Sequence, residues 1–136
     1  MATVLRPPSV STSRLWTGRV LSALPVLFLL LDAGLKLVKI QAVVDSQVEL
    51  GYPDIARPLG VLILLCTLLY AWPRTAVLGA ILLTGLFGGA IATHVRVGDP
   101  WLTHVLFSLY LAIPMWVGLV LRDPRLEPLL LPFGRR

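Results

Sequence analysis

Residues 75–93, TAVLGAILLTGLFGGAIAT, carry no charged side chain, and this run constrains the fold more than any other stretch. At ~1.5 Å of rise per helical residue, roughly nineteen residues match the hydrocarbon thickness of a bilayer. A polar turn follows, from His94 through Arg96 and Asp99 to Pro100, and a second apolar run begins at Trp101. One segment thus encodes a membrane span, a charged hairpin at the water interface and a return span. Charged residues make up 14% of the 136-residue chain and hydrophobic ones 57%. A soluble domain is roughly 25% charged, so lipid is the expected solvent for the whole chain.

The same reading applied along the chain predicts an all-α membrane protein, a bundle of four transmembrane helices. The predicted spans are 16–38, 54–72, 75–93 and 101–121, within a membrane domain of residues 16–121. Residues 1–15, rich in Ser and Thr with Pro7 and Pro8, are expected to form a flexible cytoplasmic arm. Residues 122–136 form a cytoplasmic tail in which Pro124, Pro128 and Pro132 exclude a long helix. The leucine-rich first span competes with a cleaved signal peptide. No small-x-small pattern follows it, and Asp32 and Lys36 continue in helical register, so retention is favoured. Between spans one and two, Ile40, Val43, Val44, Gln47 and Val48 keep helical spacing. They predict a short amphipathic helix at the outer interface, ended by Gly51. Pro25 and Pro114 are expected to distort the first and fourth spans.

Arginine and lysine placement sets the orientation. With four spans, Arg6, Arg14, Arg19, Arg74, Arg122, Arg125, Arg135 and Arg136 share a side with both termini, against Lys36, Lys39, Arg57 and Arg96 opposite. The positive-inside rule then places both termini in the cytoplasm. The net charge of +5 is explained by these flanking residues, and no basic stripe with interleaved aromatics suggests nucleic acid. Cys66 is the single cysteine, so a disulfide within the chain and a Cys-x-x-Cys redox motif are both excluded. There is no asparagine, hence no N-glycosylation acceptor.

Ionisable groups in an apolar chain need a reason, because each costs at least ~2.5 kcal/mol near the middle of a span. Asp32, Lys36, His94, Arg96 and His104 all fall near the outer ends of their spans and form the candidate polar pocket. Asp32 and Lys36 are spaced for an i, i+4 ion pair in the favourable order. Two histidines are too few for a closed metal site unless Asp32 or Asp99 joins them, so no metal is expected. Gly85 and Gly89, in a G-x-x-x-G spacing, are expected to pack tightly against another helix inside the bundle. Trp16, Tyr52, Trp72 and Trp101 are read as interfacial anchors.

The segments LLDAGLKLVK (30–39), LGYP (50–53), PRTAVLGAILLTGLFGGAIATHVRVGDP (73–100) and LRDPRL (121–126) resemble the DoxX-like family of small four-helix membrane proteins. The resemblance implies a bundle in a bacterial inner membrane and a role beside redox enzymes, since the family takes its name from a subunit of a thiosulfate:quinone oxidoreductase. It implies no catalytic residues. The leading functional expectation is therefore a non-catalytic subunit or scaffold that docks an oxidoreductase, with a quinone as the ligand its polar pocket suits. A quinone-linked oxidoreductase acting alone is the second reading, although no flavin or dinucleotide motif is present. A small transporter or channel is the third, and with four spans it would require a homo-oligomer.

Overall fold

The structure, a computed structural model, describes residues 10–130. Its helices are α1 (Thr12–Val38), α2 (Gln41–Glu49), α3 (Ala56–Ala71), α4 (Ala76–Val97), α5 (Phe107–Arg122) and α6 (Glu127–Leu130). A π-helical turn, Trp101–Val105, leads into α5. Among the described residues there is no strand. The four long helices form a closed ring: α1 packs on α3 and α5, and α4 packs on the same two from the opposite corner.

Each long helix turns a stripe of small or medium residues toward the ring. On α1 the stripe is Gly18, Ser22, Pro25, Leu29 and Ala33, stepping by three or four as a single helical face requires. On α4 it is Ala76, Gly79, Ala80, Leu83 and Phe87. The outward faces are as apolar as the inward ones: Leu27, Leu31, Leu65, Ile81 and Ile113 are all more than half exposed. An exposed hydrophobic surface this continuous is stable only against lipid. Among the described residues, three helical runs are long and apolar enough to cross a membrane: Thr12–Val38, Ala76–Val97 and Trp101–Arg122. The chain is an integral membrane protein.

Several expected boundaries move. α1 begins at Thr12, inside the expected arm, because Ser11 caps it by accepting a hydrogen bond from the Arg14 N–H (3.3 Å). Residues 1–9 of that arm lie outside the described residues, as do residues 131–136 of the tail. The expected second span 54–72 contracts to the 16 residues of α3, because Tyr52–Ile55 is spent on a turn in which Asp54 takes a left-handed conformation (φ 64°). α4 runs past Thr93 to Val97, so His94 and Arg96 sit in its last helical turn rather than in a loop. Gly98 stops it in a left-handed conformation (φ 79°), where its N–H and that of Asp99 cap the carbonyls of Val95 and His94. A short helix, α2, is present where an interfacial one was expected, with Gln47 as its buried residue.

The glycine expectation is overturned. A Cβ built on Gly85 or Gly89 meets nothing within 4 Å; both glycines face outward. The close approaches lie elsewhere. A Cβ on Gly79 would stand 2.2 Å from the Tyr70 backbone nitrogen, so the α3–α4 hairpin closes on that glycine. A Cβ on Gly118 would stand 2.8 Å from the Gly18 carbonyl oxygen, marking the crossing of α1 and α5. The reason is rotational: the inward stripe of α4 passes through Gly79 and Leu83, and Gly85 and Gly89 are turned away from it.

Toward the end that holds the termini, the interior of the bundle is pinned by the buried Tyr70 hydroxyl. Tyr70 on α3 donates to the Met115 carbonyl of α5 (2.7 Å) and shares a hydrogen bond with Ser22 Oγ of α1 (2.9 Å). On the flank, Trp116 Nε1 donates to Thr84 Oγ1 (2.9 Å), joining α5 to α4. α1 and α5 remain continuous through Pro25 and Pro114.

Candidate functional site

The end of the bundle remote from the termini carries the polar residues singled out in the sequence. Lys39 closes α1 in a left-handed conformation and pairs with Asp54 (3.6 Å). Arg57 Nε donates to the Leu37 carbonyl (3.4 Å). Arg96, from the last turn of α4, reaches the α2–α3 connection. There it donates to the Leu50 carbonyl (2.5 Å) and lies over the Tyr52 ring. These contacts fasten α2 and its flanking turns onto the ends of α1, α3 and α4.

Beneath this layer, Lys36 Nζ binds Asp32 Oδ1 as an i, i+4 ion pair. The Lys36 side chain is only 12% exposed, because its stem packs beside α3 where Gly60 lets the helices approach: a Cβ there would lie 3.0 Å from Lys36 Cβ and 3.1 Å from the Ala33 carbonyl. An ammonium and a carboxylate held so far out of water are worth keeping only as a pair, since each alone carries a desolvation cost of several kcal/mol.

The second group is built on the α4–α5 hairpin. His94 Nδ1 and Asp99 Oδ2 are 2.6 Å apart, a contact made possible by the tight turn at Gly98. The His104 ring lies 5.7 Å from that of His94, centroid to centroid, and its Nδ1 shares a hydrogen bond with Thr103 Oγ1 (2.8 Å). The π-helical turn sets this juxtaposition: the Leu106 N–H donates to the Trp101 carbonyl (2.8 Å), five residues back, and the wider turn changes which face His104 occupies. In each ring the Nδ1 is engaged, so the Nε2 is the nitrogen left to meet a ligand.

The five predicted residues therefore form three clusters. Asp32 meets Lys36, His94 meets His104, and Arg96 turns away to the α2–α3 connection. Among the described residues no hydrogen bond or ion pair joins the Asp32–Lys36 pair to either histidine. One contact brings the two groups into line: Phe28 on α1 meets Phe107 on α5 edge-on (5.1 Å). Asp32 is one turn outward from Phe28, and His104 about one turn outward from Phe107, so the carboxylate and the imidazole occupy one level on facing helices.

Asp99, expected in the polar turn and as a possible metal ligand, and Thr103, not singled out in the sequence, are the partners of the histidines; their i+5 and i−1 spacing is the signal that could have found them. Among the described residues no group of three or more His, Cys, Asp or Glu is placed to hold a metal ion. Cys66 is buried in α3. The open groove lined by Leu65, Leu68, Leu69, Trp72 and Thr75 lies at the opposite end of the bundle, and its walls are apolar.

A sequence model described as the DoxX-like family matches residues 20–118. That range takes in α1 from Val20, both polar groups and most of α5. No curated protein and no solved structure matches.

Proposed function

This chain belongs to the DoxX-like family, and on that premise we propose that it is a non-catalytic subunit or scaffold of a quinone-linked redox complex in a bacterial inner membrane. In this reading α3, extended by the Tyr52–Ile55 turn, completes a fourth crossing, and both termini lie in the cytoplasm. The observation that carries it is the outer polar layer. Arg96 on the Leu50 carbonyl, Lys39 on Asp54 and His94 on Asp99 commit its charged groups to holding loops and helix ends in place. Such a surface suits docking another protein better than moving protons or electrons, because its ionisable groups are engaged by neighbours within the chain. Purification from the native membrane in mild detergent tests the proposal. A co-purifying oxidoreductase subunit supports it, and a chain that purifies alone and turns over quinone by itself overturns it.

A second element of the reading is a quinone at the Asp32–Lys36 pair. Its support is the alignment of Asp32 with His104 through Phe28 and Phe107, which sets the Lys36 ammonium bound to Asp32 and the imidazole, two possible donors, near one depth beside lipid. A quinone head accepts hydrogen bonds while its tail stays in hydrocarbon, and this pairing matches those needs.

A further inference from the structure

The end of the bundle that holds both termini contains an unexplained pair of arginines. Arg14 lies in the first turn of α1, and Arg122 is the last residue of α5. The α1–α5 crossing brings them side by side. A Cβ on Gly18 would stand 2.9 Å from Arg122 Cγ, and Arg14 is one turn before Gly18 on the same face. Arg122 extends across the Tyr70 ring (5.3 Å to the centroid).

Among the described residues, three guanidinium nitrogens of this pair, Arg122 Nε and Nη2 and Arg14 Nε, are buried without an acceptor of their own, although the Arg122 side chain also faces the Tyr70 hydroxyl. Among the described residues, one carboxylate at this end serves the pair and one does not. Glu127 Oε2 accepts from Arg14 Nη2 (2.7 Å), and both oxygens of Asp123 are taken by Arg125 (2.9 Å each). Those two hydrogen bonds hold the Asp123 carboxyl below the usual carboxylate range. The first turn of α1 has no acidic residue. A buried donor without a partner is costly, more so when charged, and such a group in a native fold points to an acceptor supplied from outside the chain.

The location narrows what that acceptor is. Trp16 and Trp72, both strongly exposed at this end, mark the head-group level of the bilayer. Arg19 and Arg74 add further positive charge there. Planar guanidinium forks match phosphate oxygens two at a time. A head group bearing an amine would bring its own cation into this positive surface, whereas an anionic one would not.

We propose that Arg14 and Arg122 bind the phosphate of an anionic phospholipid at the α1–α5 crossing, in the leaflet that meets the termini. The shared chemistry is a phosphate anion, and a free phosphate ion is the competing source. The full chain, delipidated in neutral detergent, is titrated by native mass spectrometry with phosphatidylglycerol, phosphatidylcholine and inorganic phosphate. Phosphatidylglycerol is expected to bind more tightly than phosphatidylcholine, with no binding of inorganic phosphate at the same concentration. Arg122→Gln and Arg14→Gln should each weaken phosphatidylglycerol about fivefold, the equivalent of one arginine at an anionic surface. Arg125→Gln, whose side chain serves Asp123, should leave it unchanged. Equal weakening by Arg125→Gln would mean diffuse surface attraction and overturn the proposal. So would wild-type affinity in Arg122→Gln, or inorganic phosphate binding as tightly as the lipid. Arg122 also packs on Gly18, so melting without lipid is measured first. If Arg122→Gln does not fold, Arg14→Gln alone decides the outcome by the same criterion.

Discussion

Replacing Gly118 by alanine separates two accounts of what holds this bundle together. The new Cβ would lie 2.5 Å from Ser22 Oγ and 2.8 Å from both the Gly18 carbonyl oxygen and the Ser22 nitrogen. Comfortable contact begins near ~3.5 Å, so the shortfall against the backbone of α1 is about 0.7 Å. A serine hydroxyl can rotate, but the backbone of a helix cannot, and α1 and α5 must move apart. Overpacking of this kind costs roughly 1–3 kcal/mol. Moving them apart also stretches the Tyr70 bridge, because Ser22 and Met115 stand on the two helices that separate. A strained buried hydrogen bond adds about 1 kcal/mol. The expected loss is therefore about 2–4 kcal/mol. Gly79→Ala should be worse, since its Cβ falls 2.2 Å from the Tyr70 nitrogen and 2.5 Å from its Cα. Gly85→Ala and Gly89→Ala meet no neighbour, and removing a helical glycine is favourable by up to ~1 kcal/mol. Equilibrium unfolding in mixed detergent micelles measures all four. A Gly118→Ala protein as stable as wild type, or a Gly85→Ala protein that is clearly weakened, would refute the packing described here.

Other outcomes follow from the same contacts. Tyr70→Phe leaves the Ser22 hydroxyl and the Met115 carbonyl without their shared partner, and should lower unfolding free energy by about 1–2 kcal/mol in the same assay. Lys36→Gln leaves the Asp32 carboxylate unpaired and should cost about 1–3 kcal/mol, less than a fully buried pair because Asp32 keeps some exposure. The double variant Asp32→Asn with Lys36→Gln should be milder than either single change, and a folded double variant with full quinone binding would remove Asp32–Lys36 as the quinone site. The Arg125 contacts that hold the Asp123 carboxyl below its ordinary value stabilise its ionised form. That contribution is present above the ordinary carboxylate pKa near ~3.9 and is lost only as pH falls through the lower folded value. Backbone amide NMR at Arg125, whose N–H donates to Asp123 Oδ1 (3.1 Å), should therefore report a titration midpoint below that of an ordinary carboxylate.

How far the sequence could be read depended on whether a feature had a contrast to show. The apolar runs stand against Pro73, Arg74 and the polar stretch around Asp99, so the long helices were legible, as was the i, i+4 pairing of Asp32 with Lys36. The inward face of α4 was not. In lipid both faces of a span are hydrophobic, and nothing in hydropathy separates the Gly79–Leu83 side from the Gly85–Gly89 side. A G-x-x-x-G spacing marks a face that is able to pack closely without saying that it does. The π-helical turn was equally hidden, since Pro100 starts it and the five-residue hydrogen-bond register leaves no mark on residue type. The Tyr70–Ser22–Met115 bridge rests on a backbone carbonyl that sequence cannot place, although a tyrosine and a serine inside apolar runs were the available hint. Arg96 stands in the last turn of α4, and its reach to Leu50 depends on a connection whose shape comes from left-handed Asp54.

The proposed function requires a chain that crosses the membrane four times, with the 16-residue α3 making the second crossing. Reporter fusions at Gln47, Arg74 and Asp99 measure this most directly. With four crossings, Gln47 and Asp99 report the outer side and Arg74 the cytoplasm, as the arginine and lysine distribution requires. Gln47 and Arg74 reporting the same side would mean that α3 does not cross, and the four-span account would be contradicted.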